Sequence, residues 1–133
     1  MPKKTILCVD DERIILTSLR DQLTNHFGKR YQYEFAESVE EALEVIEELN
    51  EDGSEILMIV SDWLMPEMKG DEFLIKVHQR FPEIVKVLLT GQADDEAIKR
   101  TEQLANLHRY LPKPWDENTL IDVLESGLGQ KDE

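Results

Sequence analysis

Polar side chains that suit phosphoryl chemistry follow four of the apolar runs in this sequence. Asp10 and Asp11 come directly after the first run, and Asp62 follows a run in the middle of the chain. Thr90 and Lys113 come after two later runs. If these runs are parallel strands, their carboxyl ends meet at one edge of a sheet, where binding sites in such folds gather. We therefore expect these five side chains to lie in one small space.

This set of side chains favours a phosphoryl group held beside a hard cation. Three converging carboxylates repel one another, so the cluster needs a cation or altered protonation. Mg²⁺ fits, because it prefers oxygen ligands and binds through one or two carboxylates plus a phosphate oxygen. The hydroxyl of Thr90 and the ammonium of Lys113 suit phosphoryl oxygens. The set contains no histidine or cysteine, so the expected nucleophile is a carboxylate oxygen, which would form an acyl phosphate on aspartate.

Each aspartate taken alone has a simpler interpretation as a turn former or a helix cap. That alternative stays open for any one of them. Four strand ends that carry matching chemistry are much harder to explain in this way.

Two hydrophobic periodicities alternate along the chain and predict the elements that position these residues. Nearly continuous apolar runs predict three central strands, at Thr5 to Val9, Ile56 to Val60 and Ile84 to Leu89. The alternating segment Tyr31 to Ala36 predicts an edge strand, and a short fifth strand is expected near Arg109 to Leu111. Helical stripes lie between the strands: Leu16, Leu19, Leu23, Phe27; Val39, Ala42, Leu43, Ile46, Leu49; Phe73, Leu74, Val77, Phe81; Ile98, Leu104, Ala105; and Leu120, Leu124, Leu128.

Five strands that alternate with five helices predict an α/β fold, a three-layer sandwich. Parallel strands need right-handed crossovers, which place helices on both faces of the sheet. The pattern alone does not fix the strand order. The length of 133 residues predicts a single domain over 1–133, with a core over about 4–128 and a polar tail or linker start at 129–133.

The composition argues against several classes of function. With 29 acidic against 15 basic residues, the formal charge of -14 would repel nucleic acid. The longest apolar runs are about half as long as a membrane span, and the first residues lack a secretory signal, so we expect a cytoplasmic protein without a membrane partner. His26, His78 and His108 lack metal-ligand spacing and are expected to be exposed or to cap helices. Trp115 is interpreted as a packing residue, with a partner contact as the alternative.

The sequence resembles the receiver domains of two-component response regulators over essentially its whole length. Four motifs carry this resemblance, and they occur in the family's order. They are Val9-Asp10-Asp11-Glu12, Asp62-Trp63-Leu64-Met65-Pro66-Glu67-Met68-Lys69-Gly70, Leu89-Thr90-Gly91 and Leu111-Pro112-Lys113-Pro114.

The resemblance implies a flavodoxin-like sheet in the order 2-1-3-4-5 and a phosphoacceptor at Asp62. The phosphoryl donor would be a phosphohistidine on a histidine kinase or a histidine phosphotransfer protein. Asp11, Asp62 and the backbone carbonyl of Leu64 would bind Mg²⁺ directly, with Mn²⁺ as a substitute, and Asp10 would act mainly through coordinated water.

The resemblance also implies which groups hold the phosphoryl oxygens. They are the Lys113 ammonium, the Thr90 hydroxyl, and backbone amides near Trp63, Leu64 and Gly91. Such groups oppose the charge that develops during transfer. The Lys113–Pro114 peptide bond is expected to be cis, as is typical of the family.

Output would follow from a rearrangement of Thr90 and Tyr110. When the phosphoryl group draws the Thr90 hydroxyl inward, the aromatic ring of Tyr110 would turn into the space behind it and bias the surface of the fourth helix, fifth strand and fifth helix. That surface would control a downstream effector, and the last helices also offer a surface for a homodimer. The alternative is that Tyr110 merely covers the sheet edge.

Two positions are expected to tune the lifetime of the phosphorylated form. In this family, the residues at Leu64 and Gln92 influence the water that hydrolyses the acyl phosphate. An apolar Leu64 cannot hydrogen-bond that water, so we hypothesise slow self-dephosphorylation, although Gln92 could still orient it.

Two other classes of function compete with a receiver, which is a switch rather than an enzyme. A Mg²⁺-dependent phosphohydrolase of the haloacid-dehalogenase type also uses an aspartyl nucleophile, but places it after the first strand with a second aspartate two positions later. Here the pair Asp10-Asp11 is adjacent and Glu12 follows. The third possibility is a receiver-like interaction module that never accepts phosphate. The presence of every residue of the proposed phosphorylation site argues against it.

Overall fold

The computed structural model describes residues 3–91 and 95–132. Within them the chain forms five strands and five α-helices in strict alternation. The elements are β1 (Lys4–Val9), α1 (Arg13–Phe27), a short 3-10 helix (Gly28–Arg30), β2 (Gln32–Ala36), α2 (Val39–Glu51), β3 (Glu55–Asp62), α3 (Gly70–Arg80), β4 (Val85–Thr90), α4 (Asp95–Ala105), β5 (Arg109–Pro112) and α5 (Glu117–Asp132).

All strand pairs are parallel, and the sheet order is β2-β1-β3-β4-β5. This confirms the predicted fold class and strand order. The alternating segment β2 is an edge strand, as predicted. The strands β1, β3 and β4 are central. Their apolar runs suit this position, because helices cover both faces of the sheet.

The sheet separates two hydrophobic cores, and this makes three layers. Helices α1 and α5 pack on one face, and helices α2, α3 and α4 pack on the other. Each helix buries one stripe of its surface, for example Leu19 and Leu23 of α1 and Leu120 and Leu124 of α5, all fully buried. Burying each such side chain contributes about 1.5–3 kcal/mol against the entropic cost of folding.

Two leucines assigned to the core by their helical spacing are instead exposed. Leu43 of α2 is 37% exposed and Leu104 of α4 is 53% exposed. Each lies one position away from a buried alanine, Ala42 or Ala105, which places it at the edge of the buried stripe. Small side chains therefore occupy part of the buried face of both helices.

Local signals mark both ends of α2. The Ser38 hydroxyl accepts a hydrogen bond from the Glu41 amide at 3.1 Å and caps the helix. The Glu41 carboxylate accepts from the Glu37 amide rather than from Ser38, so the capping box is only half formed. Gly53 follows the helix with a φ of 75°, which a glycine adopts without strain. In the described part of the chain, none of the helices combines the length and the apolar character that a membrane span requires.

Candidate functional site

Three carboxylates meet at the carboxyl edge of the sheet, as the sequence analysis predicted. Asp10 directly follows β1, and Asp62 is the last residue of β3. Both are buried, at 0% and 4% exposure, whereas Asp11 is exposed. One carboxylate oxygen from each of the three residues lies within 4.8 Å of the others. The fold thus concentrates negative charge where β1 and β3 end side by side.

The Lys113 ammonium lies between the two buried carboxylates. It donates to Asp10 Oδ2 at 2.8 Å and lies 3.0 Å from Asp62 Oδ1. The Lys113 backbone amide donates to the Thr90 carbonyl at 2.7 Å, which fixes the loop after β5 against the end of β4. Three of the other four predicted site residues are therefore in contact with Lys113, and Asp11 completes the carboxylate cluster.

Burial and charge alter the protonation of this group in opposite directions. Burial, helped by the nearby charge of Asp10, raises the pKa of Asp62 from 3.8 to about 6, although the Lys113 hydrogen bond lowers it. Burial likewise raises the pKa of Asp10, against the same lysine. For Lys113, burial lowers the pKa, but its hydrogen bonds to the two carboxylates outweigh burial and the net pKa is raised. Ionising Asp62 in this buried position therefore costs free energy, and the Lys113 ammonium offsets part of that cost.

The loop after Asp62 returns to the sheet through one close contact. The Gly70 amide donates to the Trp63 carbonyl at 2.7 Å. A Cβ at position 70 would lie 2.0 Å from the Asp62 carbonyl oxygen, far inside contact distance. Helix α3 can begin directly on the backbone of the candidate phosphoacceptor only because residue 70 has no side chain.

The groups expected to hold phosphoryl oxygens differ in their solvent exposure and in the hydrogen bonds that they already make. Thr90 is buried at the end of β4, and both Gly91 and Leu64 are exposed beside the cluster. The Trp63 amide, in contrast, already donates to the Leu89 carbonyl at 2.8 Å, because the β3–β4 ladder continues by one residue. The Trp63 amide is therefore engaged within the sheet in this structure, and its expected role toward the phosphoryl oxygens stays a prediction. Gln92 lies outside the described residues.

Two further expectations concern β5 and the loop after it. The Lys113–Pro114 peptide bond is cis, as predicted. Tyr110 of β5 pairs with Leu88 of β4, and 45% of Tyr110 is exposed to solvent. The Tyr110 side chain is thus accessible on β5, and its role as a switch stays a prediction.

The carboxylate cluster fits a small divalent cation. Oxygens around Mg²⁺ lie about 3 Å apart when adjacent and about 4 Å apart when opposite, because each metal–oxygen distance is about 2.1 Å. The three carboxylate oxygens all lie within 4.8 Å of one another, which is compatible with these separations. A donor set made only of carboxylates, with a net negative charge, also has the chemistry that Mg²⁺ or Mn²⁺ prefers.

Two polar contacts close to this edge were not predicted. Trp115, half-buried in the loop after Lys113, donates from its indole nitrogen to Gln22 Oε1 at 2.9 Å. Asp71, in the first turn of α3, is 4% exposed and pairs with Arg100 of α4 at 2.9 Å. Its other oxygen, Oδ1, has no hydrogen-bond partner among the described residues. Both contacts join residues far apart in sequence, which periodicity and local motifs cannot reveal.

The histidines only partly match their predicted surface roles. His26 pairs with Glu125 on the surface, and His108 bonds with the Ser126 hydroxyl. His78 is half-buried and accepts from the Lys86 ammonium at 2.9 Å. Burial, together with that positive charge, lowers the pKa of His78.

Both the sequence and the fold of this chain match those of known proteins. The family model described as "Response regulator receiver domain" matches residues 6–125. The chain is 31% identical over 124 residues to the hydrogenase transcriptional regulatory protein HoxA of Cupriavidus necator, covering 93% of this chain and 24% of that protein. It is 29% identical over 129 residues to the chemotaxis protein CheY1 of Helicobacter pylori, covering 96% of this chain and 98% of that protein.

The solved structures agree with the sequence matches. The signal receiver domain of an HD domain-containing protein from Pseudomonas fluorescens Pf-5 superposes with a TM-score of 0.86 at 29% identity, with 98% of each chain covered. The chain spans about a quarter of the hydrogenase regulator and 13% of the sensor kinase CckA of Brucella abortus, to which it is 32% identical. It spans nearly the whole of the chemotaxis protein.

Proposed function

Because this chain belongs to the response regulator receiver domain family, we propose that it is a phosphorylation-dependent switch that accepts a phosphoryl group on Asp62. One observation carries the proposal: the Lys113 ammonium lies 2.8 Å from Asp10 and 3.0 Å from Asp62, and the Asp11 carboxylate completes the cluster. A buried carboxylate beside a fixed cation, at the open edge of a parallel sheet, suits phosphoryl transfer.

The transfer step requires an ionised Asp62. Because the pKa of Asp62 is about 6, most of the carboxylate is ionised at neutral pH. One of its oxygens attacks the phosphorus of a phosphohistidine; the new O–P bond forms as the N–P bond breaks, and the electron pair stays on the imidazole nitrogen. The Lys113 ammonium, with the Thr90 hydroxyl and the amides of Leu64 and Gly91, then faces the charge on the phosphoryl oxygens.

A divalent cation belongs to this proposal because of the charge balance. Three carboxylates face one ammonium, and the incoming phosphoryl group adds further negative charge. Asp11, Asp62 and the Leu64 carbonyl would hold Mg²⁺, with Asp10 acting through water. When bound, Mg²⁺ neutralises charge on the phosphoryl oxygens and helps to orient them. The carboxylates of this chain supply its position.

Partners and output follow from the family rather than from any contact in the structure. A histidine kinase or a histidine phosphotransfer protein would supply the phosphoryl group, in the cytoplasm. The relatives include a transcriptional regulatory protein and a chemotaxis protein, so the effector would be either another part of a longer chain or a separate protein. Rearrangement of Thr90 and Tyr110 would carry the signal to the surface of α4, β5 and α5, which also offers a homodimer interface.

Intact-protein mass spectrometry tests the proposal. The protein is treated with acetyl phosphate with Mg²⁺, with Mn²⁺, or with a chelator. We expect one phosphoryl group per chain with either metal, no label with chelator, and no label on Asp62→Asn. Asp21→Asn is the matched control, because it removes an exposed carboxylate on α1 and should label normally.

The same experiment separates the competing functions. A phosphohydrolase would release phosphate over many turnovers instead of accumulating one label per chain. An inert receiver-like module would remain unlabelled under every condition. Either result, or a label that persists on Asp62→Asn, would overturn the proposal.

A further inference from the structure

The loop that carries Lys113 is attached to helix α1 by one specific hydrogen bond. The indole N–H of Trp115 donates to Gln22 Oε1 at 2.9 Å, and the Gln22 amide nitrogen donates to the Ser18 hydroxyl at 3.0 Å. Because an indole nitrogen only donates, it selects the orientation of the Gln22 amide. The Trp115 ring also packs against the core between the sheet, α1 and α5. The contact therefore combines a fixed geometry with packing.

Helix α1 is also the element that follows the acidic pair. Asp10 and Asp11 lie just before its first turn, and the Glu12 carbonyl accepts from the Ile15 amide at 3.1 Å. A helix is a stiff connection, so a group fixed to Gln22 keeps a fixed position relative to the carboxylates that precede the helix. Trp115 thus links the Lys113 loop to the helix that follows Asp10 and Asp11 in the chain.

Other polar contacts within residues 3–91 and 95–132 also hold the Lys113 loop. The Lys113 amide is held by the Thr90 carbonyl at 2.7 Å, and the Asp116 carbonyl accepts from Leu120 as α5 begins. Between these two points, Trp115 supplies the contact to α1. The Lys113 side chain is 14% exposed and must reach two carboxylates at once, so a shift of its backbone changes both distances.

We propose that Trp115, acting through Gln22, is a positioning residue for Lys113 and sets the rate at which Asp62 is phosphorylated. The inference rests on the proposed function of this site. Trp115 does not touch the phosphoryl group. It keeps the ammonium where the oxygens of the phosphoryl group will arrive, and small misplacements of such a group are costly to the rate of transfer.

The test compares phosphorylation rates among variants of the intact chain. Acetyl phosphate and Mg²⁺ are the probes, and intact mass gives the rate constant. We expect Gln22→Leu and Trp115→Phe each to slow labelling by about three- to ten-fold, as the loss of one hydrogen bond allows. Because both remove the same contact, the double variant should be no slower than the slower single variant. Gln22→Glu keeps an acceptor for the indole N–H, so its labelling rate should lie within about two-fold of the native rate.

Two further measurements separate positioning from general loosening. The Mg²⁺ concentration at half-maximal rate should stay within about two-fold of the native value, because the carboxylates are unchanged. Gln79→Leu makes the same substitution on an exposed part of α3 and should label at the native rate. A native rate for Gln22→Leu, failure of Gln22→Glu to restore the rate, or additive slowing in the double variant would overturn the inference. If the native chain itself is not labelled, the proposed function fails instead.

Discussion

Replacing Asp62 with asparagine should stabilise the metal-free protein at neutral pH, although it removes the proposed phosphoacceptor. Burial and the charge of Asp10 raise the pKa of Asp62 from 3.8 to about 6, in spite of the hydrogen bond from Lys113. The ionised carboxylate is therefore less favourable in the folded chain than in the unfolded chain. Asparagine has nearly the same shape and carries no charge, and it leaves Lys113 its contact with Asp10.

The sign and size follow from proton linkage. An acid whose pKa is raised by folding binds more protons in the folded state, so stability falls as the pH rises from about 4 to about 6. The two pKa values correspond to a penalty of about 3 kcal/mol above pH 7 and about 1.5 kcal/mol near pH 5. Asp62→Asn should therefore exceed the native chain in stability by up to about 3 kcal/mol at about pH 7.5, with a smaller excess near pH 5.

Urea unfolding in the presence of a chelator, followed by tryptophan fluorescence, measures this difference. The series should stay above about pH 5, because the isoelectric point is near 4.6. Asp21→Asn, which changes an exposed carboxylate, should differ from the native chain by less than about 0.5 kcal/mol. Adding Mg²⁺ should then stabilise the native chain and have little effect on Asp62→Asn. If Asp62→Asn is less stable than the native chain, or if its advantage is the same at every pH, the electrostatic reasoning is wrong.

Three other substitutions test single features of the site and its surroundings. Gly70→Ala should destabilise the chain by roughly 2–3 kcal/mol in urea unfolding, because the new Cβ would lie 2.0 Å from a main-chain oxygen of β3. Leu64→Asn should shorten the lifetime of the phosphorylated form, followed by the decay of labelled mass, because the amide can hydrogen-bond water beside the acyl phosphate. Arg100→Leu should destabilise by about 1–2 kcal/mol, because it leaves the buried carboxylate of Asp71 without its ion pair.

Matched controls sharpen these three predictions. Gly129→Ala adds a Cβ with nothing within 4 Å in helix α5, so it should be neutral or stabilising by up to about 1 kcal/mol. Lys99→Leu removes an exposed cation from the same helix as Arg100 and should change stability by less than about 0.5 kcal/mol. Equal effects of Gly70→Ala and Gly129→Ala, or of Arg100→Leu and Lys99→Leu, would contradict the structural explanation. An unchanged decay rate for Leu64→Asn would end the hypothesis of slow self-dephosphorylation.

The sequence was sufficient to predict the layers of this fold, since hydrophobic period distinguishes covered strands from one-sided helices. It was less accurate at the margins of helical stripes, where Leu43 and Leu104 were assigned to the core but are exposed. Which residue at the edge of a stripe is buried depends on how closely two elements approach. The neighbouring Ala42 and Ala105 of the same predicted stripes are buried, and the distance between elements that decides this is not encoded in a single helix. The strand order came from the family resemblance, not from periodicity.

The site was predictable where its residues follow strand ends, because parallel strands all end at one edge. Contacts between distant segments were not predictable. The pairing of Trp115 with Gln22 and the pairing of Asp71 with Arg100 depend on helix rotation and side-chain geometry. The hydrogen bond from the Trp63 amide to the Leu89 carbonyl was not predictable either, because a β ladder can extend by one residue without any signal in the sequence.

The contact between Gly70 and the backbone at Asp62 and Trp63 has a consequence for protein engineering. The loop after β3 begins at Trp63 and ends at Gly70, and a hydrogen bond of 2.7 Å between these two residues joins its ends. Pro66 and Glu67, in the middle of this loop, are exposed. A change in the length of this loop therefore has to preserve the Gly70 contact, because that contact joins the start of α3 to the end of β3 beside Asp62.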